Sequence, residues 1–255
     1  MTHAAVAVGL AAAVAVLAFR ARALSIAGAI AAFVVGAIIF GRGGWPAAAV
    51  LFAFFIPSSL LSRAGAARKR AIVDERIGPR SAWQVLANGG VAALCALGGM
   101  HAGAPLAAAF AGAFAAASAD TWGTEIGMLS RRPPVSIVTF RPLAPGRSGG
   151  VTALGVAATA GGALCVAAVA ALVGIAPFWS VAAGGFAGAV LDSILGASLQ
   201  AVRWCSACAC ECETLRHACG AKTTLRRGAS WLENDGVNFA ATLFGAVAAS
   251  LAAGL

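Results

Sequence analysis

Tyrosine is absent from all 255 residues, only 11% of the chain is charged, nine residues are acidic and three are histidine. Each shortage excludes something. Soluble domains carry about a quarter charged residues, so a chain that is 60% hydrophobic with mean hydropathy +0.88 belongs to the membrane class. Its longest polar stretches, about 20–35 residues, are too short to enclose a core of their own. The chain therefore reads as one integral membrane domain, 1–255. With no tyrosine, and no aromatics interleaved among the basic residues, base stacking is missing, which excludes nucleic acid as a partner.

What is present is apolar sequence in eight stretches: 4–19, 24–40, 45–61, 83–100, 104–119, 151–173, 178–202 and 237–255. Most approach the ~20 residues that a helix needs to cross a bilayer. The expected fold is all-α, a polytopic membrane protein of about eight transmembrane helices. Alanine and glycine dominate, as in "AGAFAAASA" and "AAGGFAGAV", which allows close helix packing. The first stretch could be a signal peptide, because "RARA" resembles a cleavage site, but no Lys or Arg precedes it, which favours a retained helix.

Basic residues orient this bundle. With the N-terminus outside, seventeen of the eighteen fall on inward connections. These are Arg20 and Arg22; Arg63, Arg68, Lys69, Arg70, Arg76 and Arg80; Arg131, Arg132, Arg141 and Arg147; and Arg203, Arg216, Lys222, Arg226 and Arg227. Arg42 alone lies outside. This is the positive-inside pattern, expected for a bacterial inner membrane, and it accounts for most of the net charge of +9, with attraction to anionic membrane lipid second.

The scarce polar residues then collect on the cytoplasmic side, where a polar cavity is expected. Asp120 and Glu125 sit at the inner end of the fifth stretch, Gln84 and Asn88 in the first turns of the fourth, and Asn234, Asp235 and Asn238 at the start of the eighth. Asp192, followed by Ser193, lies about ten residues from the inner end of the seventh, roughly 15 Å deep. A charge at such depth costs about 2.5–3.5 kcal/mol and marks either a functional path or a carboxylate tying two helices together. Between Asp120 and the sixth stretch runs "DTWGTEIGMLSRRPPVSIVTFRPLAPGRSGG". Its Gly149–Gly150 turn before a helix suits an anion, and Arg141 and Arg147 suit phosphate. Carboxylates beside phosphate-binding arginines are the parts of a Mg²⁺–nucleotide site. The plainer reading is a helix cap followed by a positive-inside loop.

Histidine placement narrows the chemistry. His3 is terminal, His101 lies outside and His217 sits among cysteines, so hydrolysis by a histidine base is disfavoured. Phosphoryl transfer onto an existing phosphate needs little base, since a phosphomonoester is mostly dianionic near neutral pH (second pKa about 6). The cysteine stretch "WCSACACECETLRHACG", opening the loop 205–235, offers Cys205, Cys208, His217 and Cys219 at spacings that suit tetrahedral zinc. Unmetalled thiols or an iron–sulfur role remain alternatives, and Cys210 and Cys212 are surplus. Disulfides are disfavoured on a cytoplasmic face, and Cys95 and Cys165 read as packing residues.

The blocks "RSAWQVLANGGVAAL", "SADTWGTEIGMLS", "PLAPGRSGGVTALG", "GGFAGAVLDSILGASLQ" and "GASWLENDGVNFAATLFGA" resemble, in order, those of the transmembrane protein 19 family, known as domain of unknown function 92. That family includes the plant phytyl-phosphate kinase, so the resemblance implies a prenyl-phosphate kinase that uses a nucleoside triphosphate, CTP or ATP. It carries over Gln84, Asn88, Asp120, Glu125, Arg147, Gly149, Gly150, Asp192, Ser193, Gln200, Asn234, Asp235 and Asn238. In the resulting expectation, Asp120 and Asp235 hold Mg²⁺ with Glu125 assisting, and Arg141, Arg147 and the glycine turn hold the triphosphate. Asn88, Asp192 and Asn238 meet the prenyl phosphate head. The alternatives are a CTP-dependent cytidylyltransferase making a CDP-lipid, and a transporter of lipid or small molecules.

Overall fold

Residues 107–119 are buried without interruption, in a helix of almost nothing but alanine, glycine and phenylalanine. A helix apolar on every side belongs in the middle of a bundle, and the others pack around it. The computed structural model describes residues 2–64, 78–100 and 103–254. Arg68, Lys69, Arg70 and Arg76, used above in orienting the chain, and His101, used in narrowing the chemistry, lie outside them. The helices are α1 (Thr2–Arg20), α2 (Ile26–Arg63), α3 (Ala82–Leu97), α4 (Ala104–Gly127, the central one), α5 (Ala153–Leu172), α6 (Phe178–Ser198) and α7 (Asn234–Ala253). Four of them, α2, α5, α6 and α7, are long and apolar enough to cross a membrane.

The second and third apolar stretches both fall in α2, which Gly44 breaks. Its φ of 60° and ψ of −154° suit only glycine, and Pro46 follows two residues on. Along a straight helix Val35 and Phe54 would stand about 28 Å apart. Instead Phe54 stacks on Phe114 with ring centroids 5.6 Å apart. Gly89, meanwhile, packs against both Val35 and Phe114. The two arms of α2 therefore fold back on each other.

Small residues set the registers around α4. A Cβ on Gly188 would stand 2.6 Å from Ala116 Cβ and 2.7 Å from Ala241 O. One on Gly112 would stand 2.6 Å from Gly245 O. These contacts make α6 parallel to α4 and α7 antiparallel to both. One helical turn onward, the same register brings Asp120, Asp192 and Asn238 to one level of the bundle.

Three expectations change. First, the chain is not purely helical among the described residues: β1 (Val135–Ser136) pairs antiparallel with β2 (Gly150–Val151). In addition β3 (Val202–Cys205), β4 (Cys210–Cys212) and β5 (Thr224–Arg227) form a sheet in the order β4-β3-β5. Second, α4 continues to Gly127, so Asp120 and Glu125 lie on the helix rather than beyond it. Five positions turn a helix by about 140° net, so the two carboxylates face different neighbours. Third, α6 ends at Ser198. The backbone then turns into β3, leaving Asp192 about 9 Å from the helix end instead of roughly 15 Å.

Candidate active site

Asp120 and Asp192 meet side chain to side chain, and Glu125 lies within electrostatic reach of Asp120. Both aspartates are half-buried, and Asp192 Oδ2 is buried with no hydrogen-bond partner. Two facing carboxyls, one with an orphaned oxygen, must share a proton or gain a cation. Oxygen donors of this kind fit a hard divalent ion such as Mg²⁺. Asp235, expected to share that ion with Asp120, sits in the first turn of α7 with Glu233 as its charge neighbour. The carboxyl that joins Asp120 is Asp192.

Glu125 faces Arg80, whose guanidinium is largely buried and reaches Ser62 Oγ at 3.3 Å. Burial pulls the Arg80 pKa below its usual value and the Glu125 charge opposes that shift. The peptide of Arg80 is clamped from both sides, donating to Ala23 O (2.9 Å) and accepting from Ser25 N (3.0 Å). Arg80, Gln84 and Asn88 form the polar end of an apolar cavity of ≈ 80 Å³ whose other walls include Leu10, Val35 and Phe54. Gln84 also has a structural duty. Ser81 and Gln84 form a capping box at the start of α3 (Ser81 N to Gln84 Oε1, 2.9 Å). Asn88 Nδ2 donates to Gln84 O at 2.8 Å.

The glycine-turn loop holds an anion, but that anion is a carboxylate of the protein. Glu213 accepts from Ser148 N (3.1 Å), Ser148 Oγ (2.7 Å) and Gln200 Nε2 (2.8 Å). Its charge also reaches Asp192. Arg147 is paired to Glu211 at 2.6 Å, and Arg226 reaches the same carboxylate at 3.3 Å. Gly149, at φ +77°, lies against Ala197 at the end of α6, where no side chain fits. The start of α5 is capped by Thr152, whose Oγ1 accepts from Gly155 N at 2.9 Å. The glycine pair thus serves close packing of the loop. Arg141 is exposed and contributes its carbonyl to Ser136 N (2.9 Å). Gln200 is buried, Ser193 and Asn238 are half-buried beside the aspartate pair's level, and Asn234 is exposed at the first position of α7.

Sequence reasoning missed Glu213 and gave Arg80 a topological role only. The available signal was the alternation Cys210-Glu211-Cys212-Glu213, which on an extended strand separates thiols from carboxylates.

The four predicted cysteine-loop residues do converge. One ligand atom from each of Cys205, Cys208, His217 and Cys219 lies within 4.8 Å of all the others. This cluster has the donor chemistry of a metal site. Hydrogen bonds from Ala221 N and from His217 lower the Cys219 thiol to about 6, and its bond to Cys219 pushes Cys208 up to about 12.

Apolar helices around a buried alanine-rich core, with the described carboxylates gathered at one end, define an integral membrane protein. The family described as Integral membrane protein DUF92 matches residues 9–246, and the chain belongs to it. Protein PGR of Arabidopsis thaliana is 32% identical over 92% of this chain and 90% of its own length. An uncharacterized membrane protein of Methanocaldococcus jannaschii is 32% identical over 71% of this chain and 76% of its own. One from Synechocystis is 30% identical over 66% and 69%. No solved structure matches.

Proposed function

We propose that the chain is a membrane-embedded kinase that transfers the terminal phosphoryl group of a nucleoside triphosphate, CTP or ATP, to a prenyl monophosphate. In this reading about eight helical passes cross the bilayer and the site opens to the cytoplasm. One observation carries it: Arg80 closes the polar end of an apolar cavity and is charge-coupled through Glu125 to the Asp120–Asp192 pair. A lipid whose first tail carbons enter that cavity, with the rest of the tail in the bilayer, has its anionic head beside carboxylates suited to a cation. The resemblance to the phytyl-phosphate kinase family points the same way.

Each group has a task under this reading. Arg80 and Asn88 bind and orient the acceptor phosphate. Arg147 exchanges Glu211 for the triphosphate. Asp120 and Asp192 would hold a divalent cation, which would supply positive charge against the polyphosphate oxygens. An oxygen of the dianionic acceptor forms the new P–O bond, the bond to the terminal phosphorus breaks, and a nucleoside diphosphate leaves. No proton transfer is required, in keeping with the scarcity of histidine. A through-membrane path is disfavoured, because α4 presents only Ala, Gly and Phe from Ala107 to Ala117.

The test is incubation of purified protein with terminally labelled CTP or ATP and a panel of prenyl monophosphates. Label entering a lipid diphosphate, with equal release of nucleoside diphosphate, is expected. Pyrophosphate with a nucleotide-linked lipid would establish the cytidylyltransferase instead. Absence of transfer to every acceptor would overturn the kinase reading.

A further inference from the structure

The cysteine loop does more than lie beside the candidate active site. Cys205 ends β3 and Cys210 begins β4, and the two are register partners. The same antiparallel pair carries Glu211, and Glu213 follows one residue past the end of β4. Cys208 sits in the turn between the strands, and His217 and Cys219 return from the far side of Glu213. The four ligand residues therefore bracket the two glutamates in sequence and converge on one another in space. Spacings within the cluster match a metal. A tetrahedral ion with bonds of about 2.3 Å to sulfur puts neighbouring sulfurs about 3.8 Å apart. Cys205 Sγ and Cys219 Sγ are 3.7 Å apart, and His217 Nδ1 is 3.3 Å from Cys219 Sγ.

Arg147 and Arg226 pair with Glu211, Arg226 lies over the Trp204 ring and Thr223 Oγ1 donates to Thr214 O, but these contacts lie at the surface of a small segment. Its sheet is three short strands, β5 is exposed at every residue, and loops of this size have no core of their own. At the other end of the span, Glu213 is held by the Ser148 amide, the Ser148 hydroxyl and Gln200, a residue 1% exposed. Those donors need an anion in fixed position, and a loop tied at Cys205, Cys208, His217 and Cys219 delivers it.

We infer that Cys205, Cys208, His217 and Cys219 bind one Zn²⁺, and that this ion is a clamp holding Glu213 in the Ser148–Gln200 donor ring next to Asp192. The cluster supplies three thiolates and one imidazole, a closed set with no open coordination position, which is the pattern of structural rather than catalytic zinc. Glu213 is a positioning residue in this arrangement: it fixes Ser148 and Gln200 and adds negative charge beside the aspartate pair. The inference does not depend on the kinase reading, since it concerns metal content and loop order alone.

Two measurements on the full chain in detergent test it. Elemental analysis is expected to find about one zinc per chain, lost in Cys219→Ser and in Cys205→Ser but kept in Cys212→Ser, whose thiol bonds Thr214 O outside the four. Hydrogen exchange then reads the clamp at the Ser148 amide, which donates to Glu213. Removing zinc from the wild-type protein with a chelator should speed exchange of the peptide spanning Ser148 by about tenfold or more, and re-adding Zn²⁺ should restore protection. Glu213→Gln should keep the zinc and still speed exchange at Ser148. Chelation of the unmutated chain covers the case in which a cysteine variant fails to fold. Purified protein that lacks zinc and does not take it up, or that carries iron, overturns the site. Zinc that comes and goes without changing Ser148 exchange overturns the clamp.

Discussion

Replacing Gly188 by alanine should loosen the bundle at the turn that sets the height of Asp192. The new Cβ would fall 2.6 Å from Ala116 Cβ and 2.7 Å from Ala241 O. Carbon atoms in contact prefer about 3.5–4.0 Å, so α6 would have to retreat from both neighbours by most of an ångström. Neither neighbour can swing aside, since one is a buried backbone carbonyl and the other the Cβ of a buried alanine. Overpacking of this kind costs about 1–3 kcal/mol. Alanine also gains about 1 kcal/mol over glycine within a helix, and a control removes that gain from the comparison. Gly9, in α1, has nothing within 4 Å of where its Cβ would stand. Gly9→Ala gains the propensity without the clash, so the two variants differ by the packing cost alone. At about 2–4 °C per kcal/mol for a chain of this size, Gly188→Ala should melt roughly 2–12 °C below Gly9→Ala. Thermal unfolding in detergent, followed by tryptophan fluorescence, reads the difference. A Gly188→Ala protein that melts at or above the Gly9→Ala protein would refute the register drawn between α4, α6 and α7.

Two further outcomes follow from named contacts. The Thr242 hydroxyl donates to Ala87 O at 2.9 Å, joining α7 to α3 in a buried position. Thr242→Val should therefore cost about 0.6 kcal/mol and at most about 1.7, seen as a lower melting temperature that Thr242→Ser restores. Arg80→Lys keeps a charge at the mouth of the apolar cavity and loses the planar fork. It should raise KM for a prenyl phosphate about tenfold and leave KM for the nucleotide near its wild-type value.

Helix placement was legible because apolar stretches are strong, local signals. What escaped had local causes too. Asp120 and Glu125 look like the end of a membrane stretch by composition, yet Thr121, Trp122 and Thr124 continue α4 to Gly127. The break at Gly44 was visible as a gap between two stretches, but only its φ and ψ show a fold-back without a loop. Strands of two to four residues leave almost no periodic trace, and β1 and β2 are paired across 13 intervening residues. At the site, Asp120, Asp192 and the cysteine ligands could be singled out because charge and thiol are rare in this chain. Their partners could not. Which carboxylate meets Asp120 depends on the Gly188–Ala116 register, and Glu213 reaches Ser148 only after the loop folds back over β3.

The proposed chemistry requires Asp120 and Asp192 together to hold a divalent cation. Titrating Mn²⁺ into the purified chain and following its electron paramagnetic resonance, with wild type beside Asp192→Asn and Asp235→Asn, tests this directly. A bound Mn²⁺ population is expected in wild type, retained in Asp235→Asn and lost in Asp192→Asn, with zinc content unchanged in all three. Equal Mn²⁺ binding by wild type and Asp192→Asn would contradict it.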